Sequence, residues 1–142
     1  MKRFFVILSL VFVSSFMLIS CDNDDDYVPR YELFYDEITS AVVPETMTVG
    51  ETYNITFSVE LENSCQDLVD FAYNRIGNER YVTAISAESI YNPDSCNEVI
   101  STDDLTFRFT PTQETTYTFK FWKGQDVDGK DLYEIHEVVA TQ

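Results

Sequence analysis

The clearest signal in the chain is a strict two-residue alternation at Tyr53-Asn-Ile-Thr-Phe-Ser-Val-Glu-Leu61. Tyr53, Ile55, Phe57, Val59 and Leu61 fall on one side, and Asn54, Thr56, Ser58 and Glu60 on the other. Successive side chains of an extended backbone point to opposite faces, so this run predicts a strand with one buried and one solvated face. The pattern recurs over residues 105–109, with Leu105, Phe107 and Phe109 inward, and over residues 116–123, with Tyr117, Phe119 and Phe121 inward. Residues 37–43, ended by Pro44, and residues 132–140, "LYEIHEVVA", supply two more strands. Residues 67–75, "DLVDFAYNR", are open to two readings, because Leu68, Phe71, Ala72 and Arg75 also recur at helical spacing. Short length and the following Gly77-Asn78 favour a strand that turns by a hairpin into residues 81–87.

Seven short strands, turn residues between them and no long helical period predict one all-β domain, an antiparallel sandwich. Across the last hairpin, pairing Phe121 with Tyr133 sets Lys120 against Glu134 and Trp122 against Leu132, a register that matches charge with charge and apolar with apolar.

The first 20 residues follow a different rule. Met1-Lys-Arg3 is basic, and the 16 residues from Phe4 to Ile19 are uncharged and mostly apolar. Sixteen helical residues reach roughly 24 Å, short of a hydrocarbon core of about 30 Å, so a signal peptide is expected rather than a membrane span. The seam Leu18-Ile19-Ser20-Cys21 resembles a bacterial lipobox. That resemblance implies a diacylglycerol on the Cys21 thiol, cleavage before it, and a bilayer as the chain's first partner; each buried methylene contributes about 0.8 kcal/mol to such anchorage. The plainer alternative is an ordinary signal peptide that leaves Cys21 as a free thiol. Residues 21–29, "CDNDDDYVP", have no apolar period and read as an acidic tether, with the globular domain over residues 30–142.

Lipid on Cys21 would leave two cysteines, Cys65 and Cys96. In an exported domain two remaining cysteines most simply pair, and separate buried thiols are the alternative. All 25 acidic residues lie beyond residue 20 and face only seven basic ones there, a net charge of −18. Such a surface excludes nucleic acid as a partner, because phosphates require a basic face.

Candidate chemistry is sparse. There is one histidine, His136, and neither a nucleophile elbow, a zinc-protease motif nor a phosphate loop, so no catalytic residue, no enzyme activity and no cofactor is expected. Asp126, Asp128 and Asp131 surround a turn glycine, Gly129, which suggests hard oxygen ligands for calcium. Their spacing fails the EF-hand pattern, and a polar turn between two strands accounts for the same residues. The single tryptophan, Trp122, falls on the outward side of its strand. With Lys123 and the 124–131 loop it forms a candidate binding surface; the competing reading packs it against Leu132.

Two stretches carry a resemblance. Cys21-Asp22-Asn-Asp24-Asp25-Asp26 looks like the export signal of surface-exposed lipoproteins of Bacteroidota, which implies an outer-membrane lipoprotein facing the cell exterior. Residues 36–140 resemble small lipoproteins of that group with an immunoglobulin-like sandwich, through Cys65, Cys96, "FRFTPTQETTYTFKFW" from Phe107 to Trp122 and "YEIHEVVA" from Tyr133 to Ala140. Tyr117 opens its strand just after the loop 111–116, where immunoglobulin-like sandwiches place a tyrosine corner, although Thr116 stands where a glycine is common; an ordinary inward tyrosine is the alternative. The function expected from all of this is a membrane-anchored, non-catalytic binding or accessory module for a surface protein or glycan. The alternative is a structural envelope lipoprotein without a specific ligand.

Overall fold

The computed structural model describes residues 30–89 and 95–142. The expected signal peptide, lipidated Cys21 and the acidic residues Asp22, Asp24, Asp25 and Asp26 lie outside the described residues. Nine strands are described: β1 (Tyr31–Asp36), β2 (Ile38–Val42), β3 (Thr46–Thr48), β4 (Tyr53–Leu61), β5 (Gln66–Ile76), β6 (Glu79–Ser89), β7 (Ser101–Phe109), β8 (Thr116–Gln125) and β9 (Asp131–Thr141). No helix among the described residues is long and apolar enough to cross a membrane.

The strands form two sheets that pack into a β-sandwich. The smaller sheet runs β2-β4-β7, and the larger contains β1, β3, β5, β6, β8 and β9. In the larger sheet β6 carries β5 along one edge. Along its other edge β1 pairs with residues 84–89 and β8 with residues 79–82, so β1 and β8 lie end to end.

Alternation decides which side chains meet between the sheets. Ile55, Phe57, Val59 and Leu61 of β4 and Phe107 and Phe109 of β7 face Val82 and Ala84 of β6, Tyr117, Phe119 and Phe121 of β8, and Val138 and Ala140 of β9. Phe57 is fully buried and meets Phe121 and Phe71 at ring-centroid distances of 6.5 and 5.9 Å. Phe109 packs edge-on against both Tyr117 and Phe119. Such rings dominate the burial of apolar surface in a small domain.

Three expectations are corrected. The domain has nine strands rather than about seven. β1 was not expected because its alternating Tyr31, Leu33 and Tyr35 face solvent, and β3 is three residues long, too short to show a period. Two pairings, β6 with β8 and β3 with β9, are parallel; alternation specifies a buried face but carries no information on strand direction. The register of the last hairpin is Phe121–Glu134 and Trp122–Tyr133, one residue away from the expected one. The turn pairs Gln125 with Asp131, two positions from the expected register, and the extra residue in β8 between Trp122 and Gln125 recovers one of them. Gly124 in this bulge has φ +85°, and a Cβ there would run into the Glu37 carboxylate at the β1–β2 corner.

The ambiguous 67–75 segment is strand, and its helical spacing has a physical origin. A bulge between Leu68 and Asp70 puts Leu68 and Phe71 on the same inward face, three residues apart. The β5–β6 hairpin closes with Gly77 at φ +57°, in the first position of a two-residue turn. Under that turn Arg80, 6 % exposed, donates from Nη1 to the carbonyls of Gly77 and Glu79 at 2.9 and 2.8 Å. Its guanidinium carbon lies 5.1 Å from the Tyr117 ring centroid and 5.6 Å from that of Phe109. The buried charge is thus held by carbonyl dipoles and ring faces.

Two side-chain devices fasten the loops. Cys65 and Cys96 form a disulfide, flanked by hydrogen bonds from Ser64 N to Asn97 O and from Asn97 N to Ser64 Oγ. The Tyr117 hydroxyl accepts from the backbone N–H groups of Thr112 and Gln113 at 3.1 and 3.2 Å, which is the contact of a tyrosine corner. These bonds hold the Tyr117 phenol below its ordinary range against the opposing effect of burial.

Reduction of the disulfide is expected to lower unfolding free energy by about 3–4 kcal/mol, measured by urea denaturation with and without reductant. Intact mass should show the protein two hydrogens lighter than its dithiol form; full mass and an unchanged urea midpoint would contradict the bridge. Tyr117→Phe leaves two loop N–H groups without their acceptor and should cost about 1–3 kcal/mol in the same assay.

Candidate functional site

The two outer faces of the sandwich differ in chemistry. On the smaller sheet Thr56 pairs with Thr106, Ser58 with Asp104 and Thr52 with Thr110 through side-chain hydrogen bonds of 2.6–2.8 Å. That is an ordinary solvated face. On the larger sheet the register places Tyr35, Tyr81, Trp122, Tyr133 and Ile135 outward. They come from four strands: β1, β6, β8 and β9.

Three adjoining depressions run along this side of the molecule. The first, about 450 Å³, lies between Tyr35 and Trp122, with Asp36, Glu37, Glu60 and Glu62 around it and Leu61 and Ile100 in its wall. The second, about 350 Å³, shares Tyr35 and Trp122 and adds Thr83, Gln125, Asp131 and Tyr133. The third, about 430 Å³, shares Thr83 and Tyr133 and extends over Ala72, Asn74, Ile76 and Tyr81. Tyr81 and Tyr133 meet edge to face at 5.5 Å. The first rounds the sheet edge to Glu60 and Leu61 of β4, and the other two lie on the outer face; shared walls join the three as one trough, open to solvent, with Tyr35, Tyr81, Trp122 and Tyr133 as its aromatic lining.

Hydrogen bonds fix the aromatic walls. Trp122 Nε1 donates to Asp131 Oδ1 at 3.0 Å, and Gln125 Nε2 donates to the same oxygen at 3.0 Å. These bonds, that of Gln125 first, hold the Asp131 carboxyl below its ordinary range. Burial, reinforced by the Asp131 charge, raises the Tyr133 phenol. At the far end Lys120 Nζ lies 2.6 Å from Glu79 Oε1 and 4.8 Å from the Tyr81 ring centroid, while the Tyr81 hydroxyl donates to Glu79 Oε2 at 2.6 Å. This pairing lowers Glu79 and raises Lys120.

The residues singled out in the sequence separate in the structure. Trp122 is half-buried and outward, opposite Tyr133 instead of Leu132. Lys123 leaves this surface: adjacent residues of a strand face opposite sides, and its Nζ donates to Thr39 O at 2.8 Å and approaches Glu134 at 3.7 Å. Glu134 also meets His136 Nε2 at 2.7 Å, and the His136 ring abuts Phe121. Asp126, Asp128 and Asp131 are not drawn together as a ligand set: Asp126 Oδ1 accepts from the N–H groups of Asp128 and Lys130, and Asp131 is engaged by Trp122 and Gln125. Among the described residues no group of three or more His, Cys, Asp or Glu side chains is placed to hold a metal ion.

Tyr35, Tyr81, Thr83 and Tyr133 were not expected in the site, whereas Gln125 belongs to the 124–131 loop that was. One signal was readable, since Tyr31, Leu33 and Tyr35 alternate as a strand would. Their gathering on one face depends on pairings that alternation does not encode. No protein family, curated protein or solved structure matches the chain.

Trp122 is the chain's only tryptophan, so its fluorescence reports the trough without interference. Because folding depresses Asp131, its contribution to stability is present above the unfolded carboxylate value and is lost as pH falls through the lower folded value. Trp122 emission should therefore step in acid with a midpoint below the ordinary aspartate value of 3.8, and Asp131→Asn should remove the step. A midpoint above that value would show that the indole–carboxylate bond does not form.

Proposed function

We propose that this protein is a lipid-anchored, non-catalytic binding module displayed on the outer surface of a bacterial cell. The aromatic trough carries the binding part of this reading. Rings on an outer sheet face, held by their own hydrogen bonds and lined with a few polar groups, supply contact area at low ordering cost. The partner is a surface protein or glycan. The acidic surface, with seven basic residues against 25 acidic ones beyond residue 20, supports a domain held clear of anionic lipid and away from nucleic acid. The anchoring part rests on Leu18-Ile-Ser-Cys21 and on the acidic run that follows it.

The two parts are tested separately. Cys21→Ser should abolish incorporation of labelled palmitate and release the protein from the membrane fraction. Replacing Asp24, Asp25 and Asp26 by Ala should retain the lipid and remove access to external protease. For binding, Tyr35→Ala combined with Trp122→Ala should eliminate retention of cell-surface components on the immobilised protein while its melting curve persists. Undiminished retention by this variant would leave the structural envelope role as the better reading.

A further inference from the structure

We infer that the trough holds a neutral oligosaccharide chain, an assignment that rests on the binding-module reading and specifies its ligand. The first observation is the continuity of the site. Tyr35 and Trp122 are common to the first two depressions, and Thr83 and Tyr133 to the second and third. Adjoining compartments that share the rings of Tyr35, Trp122 and Tyr133 as walls suit an extended chain more than one compact ligand.

The second observation concerns what the rings still offer. An indole has one donor, its N–H, and that of Trp122 is already bound to Asp131 Oδ1. Only the faces and carbon edges remain for a ligand, and the ring is fixed in orientation before the ligand arrives. An aromatic face carries partial negative charge and attracts the weakly positive C–H face of a pyranose, whose hydroxyl rim then points sideways. Side chains with the required donor and acceptor capacity stand at the rim: Gln125, Asp131 and Thr83 in the middle compartment and Asn74 in the third.

The third observation is charge. Asp36, Glu37, Glu60 and Glu62 surround the first compartment, and no Lys, Arg or His lines any of the three. The cations beside the trough are engaged: Lys120 with Glu79, and Lys123 with the carbonyl of Thr39 in the wall of the first compartment and with Glu134. Uronic, sulfated and phosphorylated glycans would enter a field of like charge whose neighbouring lysines are already engaged, whereas an uncharged chain incurs no such penalty.

The test uses the full chain in detergent. A glycan array bearing neutral, amine-bearing and uronic-acid oligosaccharides identifies the class, and titration with the best neutral trisaccharide, followed by Trp122 emission, measures affinity. Binding should favour neutral chains over uronates, and a trisaccharide over its monosaccharide. Tyr133→Ala should weaken trisaccharide binding at least about tenfold, the size expected for one anchoring side chain. Trp122→Ala should do the same by calorimetry, and Trp122→Phe, which keeps a ring face, should lose less. Val42→Thr, on the opposite sheet, should change nothing. Melting curves confirm that each variant is folded. An array signal confined to uronates, no signal from any glycan, or affinity indifferent to both Trp122→Ala and Tyr133→Ala would each overturn the assignment. If a protein partner is instead lost with Trp122→Ala, the glycan assignment fails while the binding-module reading survives. If neither kind of binding depends on this face, both fail.

Discussion

The packing of Phe57 and its β4 neighbours against Phe119 and Phe121 of β8 is the contact on which the rest of the molecule depends. It brings two sheets of unequal width together, three strands against six. The narrow sheet covers only part of the wide one. Where it covers, inward positions are apolar and fully buried, as at Phe119, Phe121 and Val138. Where it does not, the inward positions of β9 carry Glu134 and His136, which retain 31 % and 30 % of their side-chain surface. Lys123 reaches into that opening and ties Glu134 to the backbone of β2. Polar residues at inward positions are therefore a consequence of sheet width, and their hydrogen bonds satisfy groups that would otherwise be costly at the sandwich flank.

The wide sheet's outer face follows a separate logic. An exposed strand surface is stable with threonine, serine and carboxylate ladders, as the narrow sheet shows. Aromatic rings there add no inter-sheet burial. They are nonetheless held firmly, Trp122 by Asp131 and Tyr81 by Glu79 with Lys120. Ordering these side chains within the fold removes an entropic cost that a ligand would otherwise have to offset. The face thus combines rigidity with exposure, while the histidine of the domain, His136, lies on the opposite side of β9.

Much of the architecture was readable from the chain because alternation is a direct record of burial. β4 lies at its expected residues, and β7, β8 and β9 extend their expected spans by a few residues at one or both ends. The inward sets Ile55, Phe57, Val59, Leu61 and Phe119, Phe121 are buried as the pattern requires. What escaped was whatever breaks a strict period or lies between strands. In the last hairpin the turn pairs Gln125 with Asp131, and the one extra residue at the Lys123–Gly124 bulge then leaves Tyr133 rather than Leu132 beside Trp122. The bulge in β5 imitated a helix. The parallel partnership of β6 and β8 left no local trace, yet it sets Lys120 beside Tyr81 and thereby builds one end of the trough. Trp122 could be picked out as an outward ring; its companions could not, because four separated strands supply them.

The end-to-end placement of β1 and β8 on one edge of β6 has a mechanical side. Any tension on the chain before Tyr31 enters the domain through β1, and the first backbone pair it meets is Tyr31 with Ser89. Ser89 N donates to the carbonyl of Cys65, which is covalently joined to Cys96. Load therefore arrives beside the one cross-link that cannot be peeled apart by breaking hydrogen bonds. At its other end β1 carries Tyr35, a wall of the trough. A pull strong enough to strip β1 from β6 would dismantle that wall of the trough while the stapled corner and the aromatic core stayed closed.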